Sequence, residues 1–181
     1  CFVSPQQQAA VASVTTLDQL KKFTLGQGKG WLDVQILRQA GFKVQEVEGY
    51  ALLFKMVARG RFDLFCRGIN ELPQEKLNHK EIRDLVMDES IALYYPLPRA
   101  FFAHNANREA IQRVEAGLKA AWQDSSLQTL WLNTFKPSLT FARLDTRRLF
   151  RLENPFIKGI GCIYRAYFYV PVHSRFGPGE P

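Results

Sequence analysis

The sequence predicts an α/β fold built from βαβ units. Two patterns carry that prediction. In about the first hundred residues, short apolar or alternating runs take turns with runs of helical periodicity, and glycines stand at the joints between them. A hydrophobic fraction of 46% beside 23% charged residues gives the chain enough apolar surface for a buried core, which excludes a disordered protein.

Residues 1–15 are short of charge and rich in Gln, Ala and Val, and read as a strand or connector. Thr16, with Gln19 three positions on, forms a capping box that starts a short helix. Residues 23–25 read as a strand running into Gly26-Gln27-Gly28-Lys29-Gly30. Trp31, Val34, Ile36, Leu37 and Ala40 then mark one face of a helix, which Gly41 stops. Residues 42–48 alternate at period two, as a strand does. Leu52, Leu53, Met56 and Val57 fall at helical spacing across 50–58; Gly60 ends that helix, and 62–66 read as a short buried strand. Residues 71–83 are charged, with Leu72, Leu77 and Ile82 as the apolar stripe of a solvated helix, and 85–87 and 90–95 are strand-like. From there the grammar changes. Residues 107–122 form a strongly amphipathic helix (Ile111, Val114, Leu118, Ala121) and 127–135 a second one. Residues 138–156 are mixed and basic, and 160–172 are aromatic and β-like.

Several function classes receive no support. The most apolar stretch, 91–103, is broken by Pro96, Pro98 and Arg99, so no run approaches the roughly 18–20 apolar residues of a spanning helix. Cys1, Cys66 and Cys162 form no close pair, and His79, His104 and His173 are equally scattered, so zinc is not expected. An odd cysteine count leaves at least one thiol free and the redox compartment open. No nucleophile elbow, HExxH or Cys/His constellation is present, and an enzyme is not expected, nor a cofactor. The net charge of +7 is regional: residues 140–181 hold seven Lys or Arg against Asp145, Glu153 and Glu180. Arg147, Arg148 and Arg151 are expected on one side of a helix as a solvated face, and a nucleic-acid partner is not expected.

Four motifs in order resemble the second half of a type 2 periplasmic solute-binding protein of the amino-acid-binding (family 3) kind. They are Thr16-Leu17-Asp18-Gln19-Leu20, the turn Gly26-Gln27-Gly28-Lys29-Gly30-Trp31, the helix from Tyr50 to Gly60 followed by Arg61-Phe62-Asp63-Leu64, and Tyr94-Tyr95-Pro96-Leu97-Pro98-Arg99-Ala100-Phe101-Phe102-Ala103. The likeness covers about two-thirds of the chain. It implies a periplasmic-binding-protein-like (type 2) fold with one complete lobe, a βαβ sheet, over 16–100. Residues 1–15 and 101–156 would be a remnant of the other lobe with hinge strands near 8–14 and 94–101, and 157–181 a divergent tail. The family has a first lobe of about a hundred residues ahead of the position of residue 1. That lobe supplies the arginine that clamps a ligand carboxylate and the aromatic beneath it.

What the likeness implies for function is binding of a small polar or amino-acid-like solute by cleft closure. The protein would be a periplasmic monomer that serves an ABC transporter through a membrane permease. The alternative is a ligand-sensing or signalling module on the same fold, with no transport role. Two places could contact the solute. The turn with Gly28, Lys29, Gly30 and Trp31 lies between a strand and a helix, where backbone N–H groups and Lys29 would favour an anion; a plain βα turn is the alternative. The end of the third strand offers Arg67 and Asn70. Arg67 would either hold an anion bidentately or pair with Glu71. The aspartate that takes a ligand ammonium in the family falls here on Gly68. Tyr94, Tyr95, Phe101 and Phe102 flank the crossing, either lining a cleft or half-buried in the sheet.

Overall fold

A computed structural model describes residues 1–157, 166–173 and 175–176. Its centre is a mixed five-stranded sheet of β1 (Phe2–Val3), β2 (Thr24–Gly28), β3 (Lys43–Val47), β4 (Leu64–Phe65) and β5 (Val86–Met87). The strand order is β3-β2-β4-β1-β5. β2 runs parallel to β3, with Thr24 opposite Lys43 and Gly28 opposite Val47, and parallel to β4. β1 is antiparallel to both neighbours, with Phe2 opposite Phe65 on one side and Met87 on the other. The α/β class follows from the parallel strands, which need helical crossovers between them.

Helices α1 (Gln8–Ala12), α2 (Leu17–Leu20), α3 (Leu32–Gln39), α4 (Tyr50–Ala58) and α5 (Leu72–Asn78) make those connections. The two-residue period of a strand sends Phe2 and Phe65 to one face and Val3 and Leu64 to the other. On the first face Phe2 and Phe65 pack with Leu53, Phe54, Val57 and Phe62. The Phe54 ring stands edge-on to both, with centroids at 5.3 and 5.1 Å. On the second face Val3 and Leu64 join Val11, Val14, Leu20, Leu25 and Leu37. Each such side chain, fully buried, stabilises by roughly 2 kcal/mol, so the sheet is held from both faces.

The capping box is formed: Thr16 Oγ1 accepts from the Gln19 backbone N–H, and Gln19 Oε1 accepts from that of Thr16. Gly41 follows α3 with a φ of 92°, a conformation that costs a side-chain-bearing residue about 1 kcal/mol or more.

Beyond the sheet, β6 (Ile91–Tyr94) pairs in parallel with β7 (Arg148–Arg151). Ile91, Phe150 and Leu152 extend the second core. Between these strands lie α6 (Arg108–Gln123) and α7 (Ser126–Ala142), which pack on one another, with α7 also touching α5. A last ribbon joins β8 (Tyr169–Val170) to β9 (Arg175–Phe176).

Four expectations need correction. Residues 8–14 are not a hinge strand. Gln8–Ala12 is helical, as its Gln and Ala content favours, and it buries Val11 against the sheet. Residues 1–15 therefore belong structurally with this sheet, to which they add β1. Arg147, Arg148 and Arg151 do not share a helical face: Arg148 to Arg151 is β7, and Arg147 is buried. The second amphipathic helix runs past 135 to Ala142, through Pro137. The helix expected over 71–83 is shorter, Leu72–Asn78.

Cys1 and Cys66 form a disulfide, one pair beyond Phe2 and Phe65 on antiparallel neighbours. Cys162, and residues 160–165 of the stretch expected to be β-like, lie outside the described residues. Among the described residues no helix is long and apolar enough to cross a membrane.

A candidate ligand site at the carboxyl edge of the sheet

Because β2, β3 and β4 are parallel, Gly28, Val47 and Phe65 end them at one edge, where open α/β sheets bind ligands. Antiparallel β1 begins at that same edge and β5 finishes there, with the Asp88 N–H donating to the Cys1 carbonyl at 2.9 Å. The loops after the three parallel strands carry most of the residues expected from sequence.

The glycines of β2 serve packing first. A Cβ on Gly26 would stand 2.2 Å from the Phe62 ring, and one on Gly28 would stand 2.2 Å from the Trp31 ring. Trp31 thus lies directly against the strand end, in contact distance of Tyr50 and Phe65, with ring centroids at 6.3 and 6.5 Å. Lys29 and Gly30 are turned to their neighbours on β3. Lys29 pairs with Glu48, and the Gly30 N–H donates to Glu46 Oε2 at 3.2 Å. That backbone bond, with the Arg38 guanidinium at 2.8 Å, holds the Glu46 carboxyl below the usual carboxylate range.

Arg67 is the centre of the site. Its guanidinium carbon lies 4.7 Å from the Trp31 ring, 5.4 Å from Tyr50 and 5.7 Å from Phe65. Its Nε donates to Glu75 Oε1 at 2.8 Å, and an Nη lies 2.9 Å from Glu71 Oε1. Burial works against the charge, yet the Glu75 bond and the charges of Glu75 and Glu71 outweigh it and hold the Arg67 pKa above the ordinary value. The Tyr50 hydroxyl donates to the same Glu75 oxygen. Burial, then that bond and the Glu75 charge, push the Tyr50 pKa up to about 12. Asn70 is exposed, and a Cβ on Gly68 would come within 2.8 Å of Asn70 Oδ1 and 2.9 Å of Glu71 Oε2. The Gly68 N–H itself donates to Glu71.

Two buried acceptors are left over. Glu75 is 5% exposed and its Oε2 has no hydrogen-bond partner. Gln27 in β2 is 2% exposed; its Nε2 donates to the Cys66 carbonyl at 3.3 Å and its Oε1 has no partner. From the crossing, Tyr95 reaches over to donate to Asp33 in the first turn of α3. Burial, then the charge and hydrogen bond of Asp33, raise the Tyr95 pKa, and the nearby Arg67 charge acts in the opposite sense. Tyr94 is half-buried in β6, whereas Phe101 and Phe102 are exposed and Phe102 is 93% open to solvent.

The structure therefore brings Gly28, Trp31 and Arg67 together, places Lys29 on Glu48 just after β3 and Gly30 on Glu46 within it, and leaves Asn70 at the rim. Sequence reasoning did not single out Tyr50, Glu75, Asp33 or Glu46 as site residues. Arg67, Glu71 and Glu75 stand at successive four-residue steps, a signal for a shared face that was open to reading. No such local signal ties Tyr50 to Glu75 or Tyr95 to Asp33. Among the described residues no cluster of His, Cys, Asp and Glu could hold a metal ion. No family model, curated protein or solved structure matches the chain.

Proposed function

We propose that this chain is a non-enzymatic, solute-binding lobe that takes a small polar or amino-acid-like solute at the carboxyl edge of its sheet and works by cleft closure. It would act in the periplasm and hand its solute to a membrane permease. The observation that carries this reading is the convergence of Trp31, Tyr50, Arg67, Glu71 and Glu75 at that edge. The same edge is where β1 begins and β5 ends, so that Tyr95, beyond β6, lies on Asp33. A solute bound there would touch both the sheet and the crossing.

Two further features support it. The helix α6 buries no residue, and its Val114 and Leu118 are 39% and 38% exposed, as suits a helix that belongs to a second lobe. The Cys1–Cys66 disulfide suits an oxidising compartment.

The reading is tested by thermal-shift screening of the chain against amino acids, amines, sugars and dicarboxylates. The expected outcome is stabilisation by one chemical class, lost in Trp31→Phe and Arg67→Ala. Stabilisation by none, or by a solute that both variants still bind, contradicts it.

A further inference from the structure

Resting on that reading, we propose that the solute is an organic cation, an amine or guanidinium compound with no carboxylate of its own. Charge and unmet hydrogen bonds at the edge point to it. Three groups at the edge suited to an anion already have carboxylate partners. Lys29 is paired with Glu48, the Gly30 N–H with Glu46, and Arg67 with Glu71 and Glu75 together. Counting Arg38 and Asp33 as well, Lys29, Arg38 and Arg67 face Asp33, Glu46, Glu48, Glu71 and Glu75, so carboxylates outnumber cations. A ligand carboxylate would have to displace one of these from its partner.

The unmet demand has the opposite sign. Both buried polar atoms left without a partner at this edge, Glu75 Oε2 and Gln27 Oε1, are acceptors. The Gln27 orientation is fixed because its Nε2 donates to the Cys66 carbonyl, so the free atom is the oxygen. A buried acceptor without a partner is costly, and a ligand bringing N–H donors would relieve it. The rings of Trp31, Tyr50 and Phe65 already surround one cation, the Arg67 guanidinium, which shows that this aromatic surface suits positive charge. Glu75 then acts as the common acceptor, with one oxygen serving Tyr50 and Arg67 and the other, buried and unpaired, left for a ligand donor.

The test compares pairs that differ only by a carboxylate. Two-dimensional NMR of the whole chain follows the Trp31 indole and the Gly28 and Arg67 amides during titration with agmatine, L-arginine, cadaverine, L-lysine and succinate. Agmatine and cadaverine are expected to bind about tenfold more tightly than arginine and lysine, the worth of one hydrogen bond to a charged group, and succinate to leave the signals unmoved. Binding of arginine, lysine or succinate as tight as that of the amines overturns this inference and leaves solute binding standing. No shift with any of them, nor with sugars or neutral amino acids, removes both. Glu75→Gln keeps the acceptor for Tyr50 and Arg67 and is expected to weaken agmatine about tenfold. The more exposed Glu71→Gln, for use if Glu75→Gln does not fold, is expected to weaken it about threefold. Unchanged agmatine binding in the variant measured means that only water fills the free acceptors, and sinks the proposal.

Discussion

At the scale of single residues, the site is a set of side chains that hold one another. Arg67 is stacked on Trp31 and paired with two carboxylates, and Glu75 receives both Arg67 and Tyr50 on one oxygen. The two phenols that donate to carboxylates here, Tyr50 and Tyr95, both have raised pKa values. A phenol whose folded pKa lies above its unfolded value of about 10 contributes stability that is complete below that pH and is lost as pH rises through the folded value. For Tyr50 that window runs from about 10 to about 12. Tyr50 and Tyr95 are therefore expected to ionise late. Ultraviolet titration of the phenolates checks this: Tyr50→Phe should remove one late-ionising group. An unchanged late step in that variant would show that Tyr50 ionises normally.

At the scale of elements, Arg147 joins pieces that are far apart in the chain. Its guanidinium donates to the Ala142 carbonyl at the end of α7, and to the Asp88 and Ile91 carbonyls at 2.7 and 3.2 Å at the start of β6. The Asp88 carboxylate lies 3.8 Å away, and both side chains are almost wholly buried. Burial, set against the Asp88 charge, lowers the Arg147 pKa. Arg147→Met removes one member of a buried pair and strands the carbonyls, so it is expected to cost about 3 kcal/mol by urea unfolding. A change under about 0.5 kcal/mol, usual for a surface site, would contradict this role. Arg147 was not legible because a run of arginines has the same composition on a solvated helix and beside a buried strand. The Thr16 and Gln19 capping box and the Gly41 helix stop were legible, because each is decided within a few residues. Gln8–Ala12 was misread for the opposite reason: its pattern is too short to show a period, and the fold decides what it buries.

At the scale of the whole molecule, the α/β class was written in the alternation of strand and helix, and it holds. The order of the strands was not, since β1 takes its place between β4 and β5 through contacts distant in sequence. The Cys1–Cys66 bridge was equally hidden, because scattered cysteines carry no pairing information. It closes a sequence separation of 65 residues between two antiparallel neighbours of the central sheet. By loop-closure entropy such a cross-link contributes about 4 kcal/mol. Unfolding in urea with and without dithiothreitol is expected to show a loss of that order. Equal stability in both conditions would leave the bridge no part in holding the sheet. Of the basic residues gathered after residue 140, Arg147 is buried and committed to structure.

Chemical-shift mapping of the labelled chain with whichever solute class stabilises it is the most direct measurement of where a solute binds. The predicted result is perturbation gathered at Gly28, Trp31, Tyr50, Arg67 and Glu75. Perturbation confined to α6 and α7, or no perturbation by any polar solute, would contradict a solute site at the carboxyl edge of the sheet.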